Sequence, residues 1–387
     1  GRYPADGAAA VETGSRAAAE APLDRLLQEE VRSLLPGAAE LGERAELSRQ
    51  LEAVIKAGWE GGQLELASLG WRAAQPPSLV LFGSSASNLH STGADLDMTL
   101  LIDLPHPAQC SVVRQLERLF SVHPLASHIR AVALFGGHVA LVQLTDEITG
   151  LAADVSCGNR LGIANTALLA TYMQHERARE LCFLVKHWAK RRRLACALQG
   201  TPSSYAWSLL VVAHLQAQAP PVLPCLQSDG CWWQHRDAWV EGRGQSIHNG
   251  MEVAYGFCNT WPKGFRKDAT SEPTQYLAHL LRGFFARAAH VAAGELVASV
   301  RLGSFVQPAA LHWPRSCLFC IEDPLDPARN LGDKVTADTI QDLCDEIVRA
   351  RSLLEPPSHH APGAEAEWGG GGEWAGKAVA RLFQARL

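Results

Sequence analysis

The sequence predicts an α+β chain in which a mixed-sheet domain precedes a largely helical domain. Five short apolar or alternating runs in the first half predict strands, and the second half contains long segments whose apolar residues follow helical spacing. The pattern changes near residues 157–160, where we place the domain boundary. With 387 residues, the chain has room for two or three domains of about 150 residues each.

The predicted sheet domain combines short strands with a few amphipathic helices. Leu23, Leu26 and Leu27 begin a helical pattern that Pro36-Gly37 ends. The helices are expected at 23–35, 43–59 and 112–120. The strands are expected at 78–82, 96–102, 129–135, 139–144 and 151–156.

The second half reads as a helical domain with few strands. Helices are expected at 162–172, 178–192, 203–216 and 276–290, and strands at 296–300 and 318–321. We therefore expect a flexible segment at 1–22, helices at 23–59 that pack with the central domain, a sheet domain at 60–157, a helical central domain at 158–357, and a Gly-rich linker and tail at 358–387 with a short helix from 378.

Composition excludes several classes of protein. With 35 basic and 40 acidic residues the formal net charge is −5, which excludes a uniformly basic nucleic-acid protein but not a local basic groove. No uncharged apolar run is long enough to span a membrane, so no membrane association is expected. Because the first residue is Gly, we expect that the natural start is missing.

The ten cysteines are scattered and do not resemble a disulfide framework. A zinc site at the single CxxC pair, Cys317 and Cys320, would need two further ligands, so core packing is the expected role. This usage predicts an intracellular, reducing compartment. The cytoplasm is the first expectation and a mitochondrion is the alternative, because acidic residues within 1–22 argue against a transit peptide.

The chemistry of the chain is concentrated between Leu81 and Leu100. An apolar strand leads into Gly83-Ser84, and Asp95-Leu96-Asp97 follows on the next strand. Side chains two residues apart on a strand point to one face, so the two carboxylates are expected side by side. Such acids repel unless cations join them, and oxygen ligands of this kind suit Mg²⁺, with Mn²⁺ as an alternative.

The turn and a third acid complete this predicted site. The Gly83 backbone can approach a phosphate closely, and the Ser84 hydroxyl can bond a phosphate oxygen. Asp154 lies at the end of another predicted strand, in LAADVSC. A lone DxD would more often be a pair of solvated acids. The turn, the ten-residue spacer between Ser84 and Asp95, and the apolar flanks Leu96 and Met98 together favour a metal site.

These segments resemble the nucleotidyltransferase fold of the DNA polymerase β superfamily. Within it, the chain is similar to the non-canonical terminal nucleotidyltransferases, which include terminal uridylyltransferases and non-canonical poly(A) polymerases. The resemblance covers residues 79–335. Further segments follow in the family's order: GNRLGIANTALL, FLVKHWAKRRRL, GTPSSYAWSLLVV, PPVLPCLQ, LLRGFFARAAH, SVRLG and CIEDPLDPARNLG. The resemblance implies a two-lobed cleft, with a palm-like catalytic domain and a central domain that carries a nucleotide recognition motif at 317–334.

The resemblance also implies roles for residues around the nucleotide. The sugar contacts are Asn159 and, less specifically, Asn165 and Thr166; the triphosphate contacts are Lys186, Lys190 and Ser204; the base contacts are Tyr205, Asp323, Asp326 and Arg329. Lys186 and Lys190 are four residues apart, so a helix places them on one face. The alternative for this run is a solvated helix end, and Arg191–Arg193 could instead serve the RNA backbone. Neighbouring His187 and Trp188 are expected to pack.

We therefore expect an RNA terminal uridylyltransferase that adds UMP from UTP to RNA 3′ ends without a template and releases pyrophosphate. A carboxylate accepts from uracil N3, whereas adenine N1 is itself an acceptor, which favours UTP. Arg329 stands where many uridylyltransferases have His, and it could instead point at RNA phosphate or solvent. The alternatives are a poly(A) polymerase using ATP and an inactive scaffold subunit. The expected partners are NTP, an RNA 3′ end and proteins that supply RNA specificity, and the expected state is a monomer.

Overall fold

The computed structural model describes residues 21–136, 139–229, 239–245, 251–262, 265, 276–313, 317–356 and 371–386. These residues form two compact units. The first, called the sheet unit, comprises 34–171 and 240–259. The second, called the helical unit, comprises the described residues of 1–33, 172–239 and 260–387. The prediction of an α+β chain with a mixed-sheet part and a largely helical part is confirmed.

The helices and strands follow the predicted order closely up to residue 216. In chain order the elements are α1 (21–34), α2 (Ala38–Glu60), β1 (Leu79–Phe82), α3 (Gly83–Ala86), β2 (Leu96–Leu100), α4 (His106–Val122), β3 (Ile129–Gly136), β4 (Val139–Asp146), β5 (Ala152–Cys157), α5 (Arg160–Tyr172), α6 (Glu176–Arg191), α7 (Ser204–Gln216), β6 (Trp239–Gln245), β7 (Glu252–Cys258), α8 (Leu277–Ala292), β8 (Val297–Ser299), β9 (Ser304–Val306), β10 (Cys320–Ile321), α9 (Ala337–Leu354) and α10 (Gly371–Leu382).

The sheet unit is built on a five-stranded mixed sheet with the strand order β1-β2-β5-β4-β3. Strands β2 and β5 pair in parallel, and the other neighbours pair antiparallel. Alternating residues of the central strands, such as Met98, Val142 and Val155, are buried in one core with α2 and α4. Because strand side chains alternate, the intervening polar residues lie on the opposite face.

The helical unit has an aromatic core. The indoles of Trp188 and Trp207 meet edge to face with their ring centroids 5.3 Å apart, and Phe319 packs on Trp207 at 5.6 Å. Such pairs add about 0.5–1.5 kcal/mol beyond their area of burial. Phe319 directly precedes β10, which pairs in parallel with β8, so this core also supports the predicted recognition motif. Trp188 is therefore a packing residue, as predicted.

The compact units differ from the domain bounds expected from the sequence. Helix α2 packs on the sheet rather than with the central domain, because its apolar stripe, which includes Leu47, Leu51 and Val54, joins the core of the sheet. Helix α1 does pack in the helical unit, where Asp24 accepts a hydrogen bond from the backbone N–H of Ala278 at 3.3 Å. Residues 160–171 and the β6–β7 pair belong to the sheet unit.

Several elements were not predicted from the sequence. These are α3, β6, β7, β9 and α9, and β6 is interrupted by two glycines, which weaken a strand pattern. The predicted flexible N-terminal segment, apart from residues 21 and 22 in α1, lies outside the described residues, as does most of the predicted linker. The tail helix begins at 371 and buries Trp374, Leu382 and the following Phe383.

The CxxC pair is joined by a bond that the sequence analysis did not predict, although Cys320 is buried in the core as expected. Cys317 and Cys320 form a disulfide, and their Cα atoms are 6.1 Å apart, within the usual range for such a bond. The three-residue spacing therefore allows the two sulfur atoms to bond. Among the described residues, no helix is both long and apolar enough to cross a bilayer.

Candidate active site

The register of the sheet places the predicted acids next to each other. Phe82 at the end of β1 is opposite Asp97 on β2, and Asp97 is opposite Asp154 on β5. Paired residues on neighbouring strands share one face of a sheet, so Asp97 and Asp154 lie side by side on the face turned away from the core. Asp95 immediately precedes β2 and is exposed.

Gly83 allows the first turn to lie against Asp97. Its φ of +68° is in the left-handed region, and a Cβ at this position would overlap the Asp97 carboxylate. Only glycine avoids both problems. The sequence analysis proposed that a phosphate can approach the backbone of Gly83 closely. The structure shows that the missing side chain of Gly83 also makes room for the Asp97 carboxylate. Ser84 follows in the short helix α3 and is partly exposed.

Helix α5 holds the turn in place. The Thr166 hydroxyl oxygen accepts a hydrogen bond from the Gly83 N–H at 2.8 Å and donates to the Gly162 carbonyl at 2.7 Å. Asn159 caps the helix, because its side-chain oxygen accepts from the Gly162 N–H at 2.9 Å. Both residues, predicted as sugar contacts, thus have structural partners. In the described structure the buried Oδ1 atom of Asn165 has no hydrogen-bond partner, which leaves this acceptor available to a ligand.

Arg44 on α2 is a site residue that the sequence analysis missed. Its buried guanidinium donates to the carbonyl oxygens of Ala94 and Asp95, the latter at 3.3 Å, and to the Ser85 hydroxyl at 2.6 Å. One side chain therefore ties the Gly-Ser turn to the loop that carries the acids. Burial lowers the pKa of Arg44, and the negative charges of Glu40, Asp95 and Asp97 oppose that shift.

The acids themselves have an unusual electrostatic environment. Burial raises the pKa of Asp154, which the Asp95 charge also raises, while a hydrogen bond from the Gln143 side chain at 3.4 Å opposes the shift. The Asp95 charge therefore acts on the Asp154 carboxylate. Within the described ranges, no three His, Cys, Asp or Glu side chains form a ready-made metal cluster. Carboxylates completed by water and substrate phosphates are nevertheless the usual Mg²⁺ ligands.

In the helical unit, α6 carries the predicted triphosphate contacts. Lys190 is exposed and Lys186 is half-buried one turn earlier. Two of the three neighbouring arginines have partners within the helical unit. Arg192 makes a two-pronged ion pair with Glu346, at 2.6 and 2.8 Å. Arg191 donates to the Phe383 carbonyl at 2.9 Å, so both side chains hold other parts of the unit.

The predicted recognition motif is a compact loop after β10. The backbone of Asp323 donates to the Arg329 carbonyl at 3.1 Å, and the Arg329 N–H donates to the Asp326 carbonyl at 2.8 Å. Buried Glu322 accepts from Arg301 at 2.5 Å and from the Ser299 hydroxyl. These bonds fix the loop, so its acidic side chains have defined positions.

Tyr205 and the base-recognition residues form one electrostatic group. The Arg329 guanidinium pairs with the Asp323 carboxylate at 3.3 Å, so Arg329 does not simply point at solvent. Burial raises the pKa of Asp323, and Arg329 opposes the shift. Burial also raises the pKa of Tyr205, with Asp323 adding to the effect, and the buried Tyr205 hydroxyl lacks a hydrogen-bond partner in the described structure. Asp326 is buried in the same loop, and Ser204 is partly exposed beside Tyr205.

Comparison with known proteins gives concordant matches. Residues 23–174 match the family model described as "Poly(A) RNA polymerase, mitochondrial-like, central palm domain". Terminal uridylyltransferase 4 of Mus musculus is 28% identical over 75% of this chain, and poly(A) RNA polymerase GLD2 of Rattus norvegicus is 30% identical over 68% of it. Terminal uridylyltransferase cid1 of Schizosaccharomyces pombe is 25% identical over 75% of this chain and 72% of its own length.

The chain is a homologue of the non-canonical terminal nucleotidyltransferases. The chain also shares its fold with a solved structure. A crystal structure of the Cid1 poly(U) polymerase with bound Mg and 3′-dATP matches with a TM-score of 0.69 and 22% identity, over 95% of this chain and all of the Cid1 chain. A Cid1 complex with its short product ApU matches with a TM-score of 0.68, over 94% of this chain and 98% of the other. The chain spans 17% of terminal uridylyltransferase 4 and 54% of GLD2.

Proposed function

We propose that this protein transfers nucleotides to RNA 3′ ends without a template, with UTP as the preferred donor. The observation that carries the proposal is the pairing of Asp97 with Asp154 on one face of the sheet, against a Gly83 turn that admits no side chain. The homologues supply the reaction class, because they are uridylyltransferases and poly(A) polymerases. The intact acids count against an inactive scaffold.

The carboxylates suit Mg²⁺, because Asp97 and Asp154 lie side by side and both offer oxygen donors. Asp95, Asp97 and Asp154 would hold the ions, with Mn²⁺ as a possible substitute. When bound, such ions lower the pKa of the attacking 3′-hydroxyl and neutralise the charge of the departing pyrophosphate. The remaining catalysis is positioning, in which Thr166 and Arg44 fix the turn and the acid-bearing loop.

The helical unit is proposed to bind the nucleotide. Lys186 and Lys190, one turn apart on α6, would contact the triphosphate together with Ser204. The Tyr205 ring would stack on the base, an interaction worth about 1–3 kcal/mol. On the sheet unit, the unpartnered Oδ1 of Asn165 would accept from a sugar hydroxyl.

The preference for UTP rests on Asp323, Asp326 and Arg329. The Arg329 guanidinium pairs with the Asp323 carboxylate at 3.3 Å, and such an ion pair favours the ionised, accepting form. An acceptor suits the N–H at uracil N3 and leaves adenine N1 unpaired, which costs about 1–3 kcal/mol. The second candidate donor is ATP, because both poly(A) polymerases and uridylyltransferases are among the homologues.

The experiment is an extension assay on single-stranded RNA, with kcat/KM measured for each NTP. The wild type should prefer UTP over ATP by one to two decades, as expected from about 1–3 kcal/mol. Arg329→Ala and Asp323→Asn should both reduce the UTP/ATP ratio, because each weakens the anionic acceptor. A wild-type preference for ATP would overturn the base assignment alone. Absence of extension with every NTP would overturn the reaction class.

A further inference from the structure

The face of the sheet that carries the acids continues beyond them to an exposed apolar edge. Opposite Asp154 on the next strand is Gln143, and opposite Gln143 on the edge strand β3 is Val132. One row of residues therefore runs from Asp97 through Asp154 and Gln143 to Val132. Since strands are about 4.8 Å apart, Val132 lies roughly 10 Å from Asp154 on the same face.

A second row reinforces this edge. Leu134 on β3 is opposite Leu141 on β4, which is opposite Ser156 on β5. Val132 is 37% exposed and Leu134 is 44% exposed, although the opposite face of the sheet is a closed core. Apolar side chains that stay this accessible next to a set of catalytic carboxylates are suited to an apolar ligand.

A cation completes the edge. Arg130 is exposed two residues before Val132 on β3, so it shares the face of Val132 and Leu134. We call this part of the face the β3 edge surface; it comprises Arg130, Val132, Leu134 and Leu141. This surface combines one positive charge, on Arg130, with three aliphatic side chains. Single-stranded nucleic acid presents the matching chemistry, with anionic phosphates and bases whose faces are apolar.

We propose that the β3 edge surface binds the single-stranded RNA immediately upstream of its reacting 3′ end. The proposal rests on the proposed function, because it takes the 3′-hydroxyl to lie at Asp154. Val132 and Leu134 contact the faces of upstream bases, and Arg130 contacts a phosphate. Such contacts are insensitive to base identity, so this surface accepts many RNA sequences.

The first test is direct RNA binding without NTP. Fluorescence anisotropy of a short 5′-labelled single-stranded RNA should show an affinity roughly five- to tenfold lower for the Val132→Thr, Leu134→Thr double variant, as for loss of one base contact. Threonine is β-branched and so suits a strand, while it replaces one methyl group of Val132 by a hydroxyl and shortens the side chain at Leu134. Arg130→Ala should lower the salt slope of binding by about one. Val122→Thr and Ile148→Thr are matched controls, because both residues are exposed and apolar elsewhere in the same unit.

The second test uses the wild type and changes the RNA. An RNA that lacks the bases just upstream of its 3′ end should bind the wild type as weakly as the double variant binds intact RNA. Combining the double variant with this altered RNA should lower the binding affinity little more than either change alone, since both remove the same contact. The KM for NTP should not move.

The outcomes separate this surface from the proposed reaction. The proposed RNA-binding surface would be overturned if the double variant bound RNA as tightly as the wild type, or if the losses of affinity from the double variant and from the altered RNA were fully additive. This holds even if the enzyme extends RNA normally. The edge strand would then be available to pair with a strand of another protein. A wild type that binds RNA through these residues but extends it with no NTP would support the surface and overturn the reaction.

Discussion

At the scale of single residues, the sharpest feature is the contrast between two glycines with the same backbone conformation. Gly83 and Gly93 both have φ of +68°, but a Cβ at Gly83 would overlap the Asp97 carboxylate, whereas nothing lies within 4 Å of one at Gly93. Alanine is strained at both positions by about 1 kcal/mol or more. Only Gly83→Ala should also displace the acid.

We therefore expect both alanine variants to lose a similar amount of stability and only one to lose activity. Gly83→Ala should reduce kcat by roughly two orders of magnitude, as a misplacement near 1 Å can. Gly93→Ala should keep a kcat within about twofold of the wild type, because its Cβ meets no atom within 4 Å and its N–H still donates to Glu40. Chemical denaturation and RNA extension rates measure the two effects. Equal activity of the two variants would contradict the assigned role of Gly83.

At the scale of elements, α2 positions the acid-bearing loop through Arg44. The guanidinium holds the backbone at residues 94 and 95, and Glu40 on the same helix accepts from the Gly93 N–H at 2.9 Å. Arg44→Met should lower kcat about tenfold or more with little change in the KM for NTP, because it loosens the acids rather than the nucleotide contacts. Arg44→Lys should not restore the rate, since an ammonium cannot reproduce the fork of donors.

Arg49 on the same helix is the matched control for Arg44. Its side chain is 69% exposed and pairs with Glu46 on the surface, and surface pairs contribute about 0–1 kcal/mol. Arg49→Met should leave both kcat and stability unchanged within error. If the Arg44 and Arg49 variants had equal rates, α2 would be merely a packing element.

The end of α6 depends on a buried carboxylate in α9. Burial raises the pKa of Glu346, but hydrogen bonds from Arg192 and Arg349 outweigh this, so the pKa lies below its ordinary value of 4.5. A lowered pKa in the folded state stabilises the protein above the unfolded pKa, and this stability is lost as the pH falls through the folded value. Below about pH 4.5, the free energy of unfolding should therefore decline in part through Glu346.

Glu346→Gln tests this linkage. At pH 7 the variant should be less stable by about 1.5–3 kcal/mol, the usual worth of a charge-assisted hydrogen bond. The difference from the wild type should shrink as the pH falls below 4.5 and vanish once the pH is below the folded pKa of Glu346, where both side chains are neutral. Denaturant unfolding at several pH values measures it, with the exposed neighbour Asp345→Asn as control. A difference that does not change with pH would contradict the ion-pair account.

At the scale of the whole molecule, the features that could be predicted from the sequence are those determined by local residue patterns. Alternation along 96–100 placed Asp97 on a strand face, and the turn chemistry of Gly83 placed that strand after a phosphate-type loop. These two features depend on residue periodicity and turn chemistry and so are visible without coordinates. The pairing of Asp97 with Asp154 was not predicted, because it requires β5 to lie next to β2 in the sheet.

The features of the fold and the site that could not be predicted depend on contacts between distant parts of the chain. Arg44 reads as an ordinary helix cation until its partners 50 residues away are known. Arg191 and Arg192 read as a basic patch, yet they hold residues 192 positions later. Helix α2 has an apolar stripe that fits either unit, and only its packing on the sheet decides between them. Periodicity carries no information about such partners.

The central claim is that Asp97 and Asp154 together perform nucleotidyl transfer on an RNA 3′ end. The most direct measurement is the initial rate of RNA extension at saturating NTP and Mg²⁺ for the wild type, Asp97→Asn and Asp154→Asn, with RNA affinity measured in parallel. Each variant should fold, should bind RNA within about twofold of the wild type, and should lose roughly three orders of magnitude in rate. Retention of more than a few per cent of the wild-type rate by either variant, with normal RNA affinity, would contradict the claim.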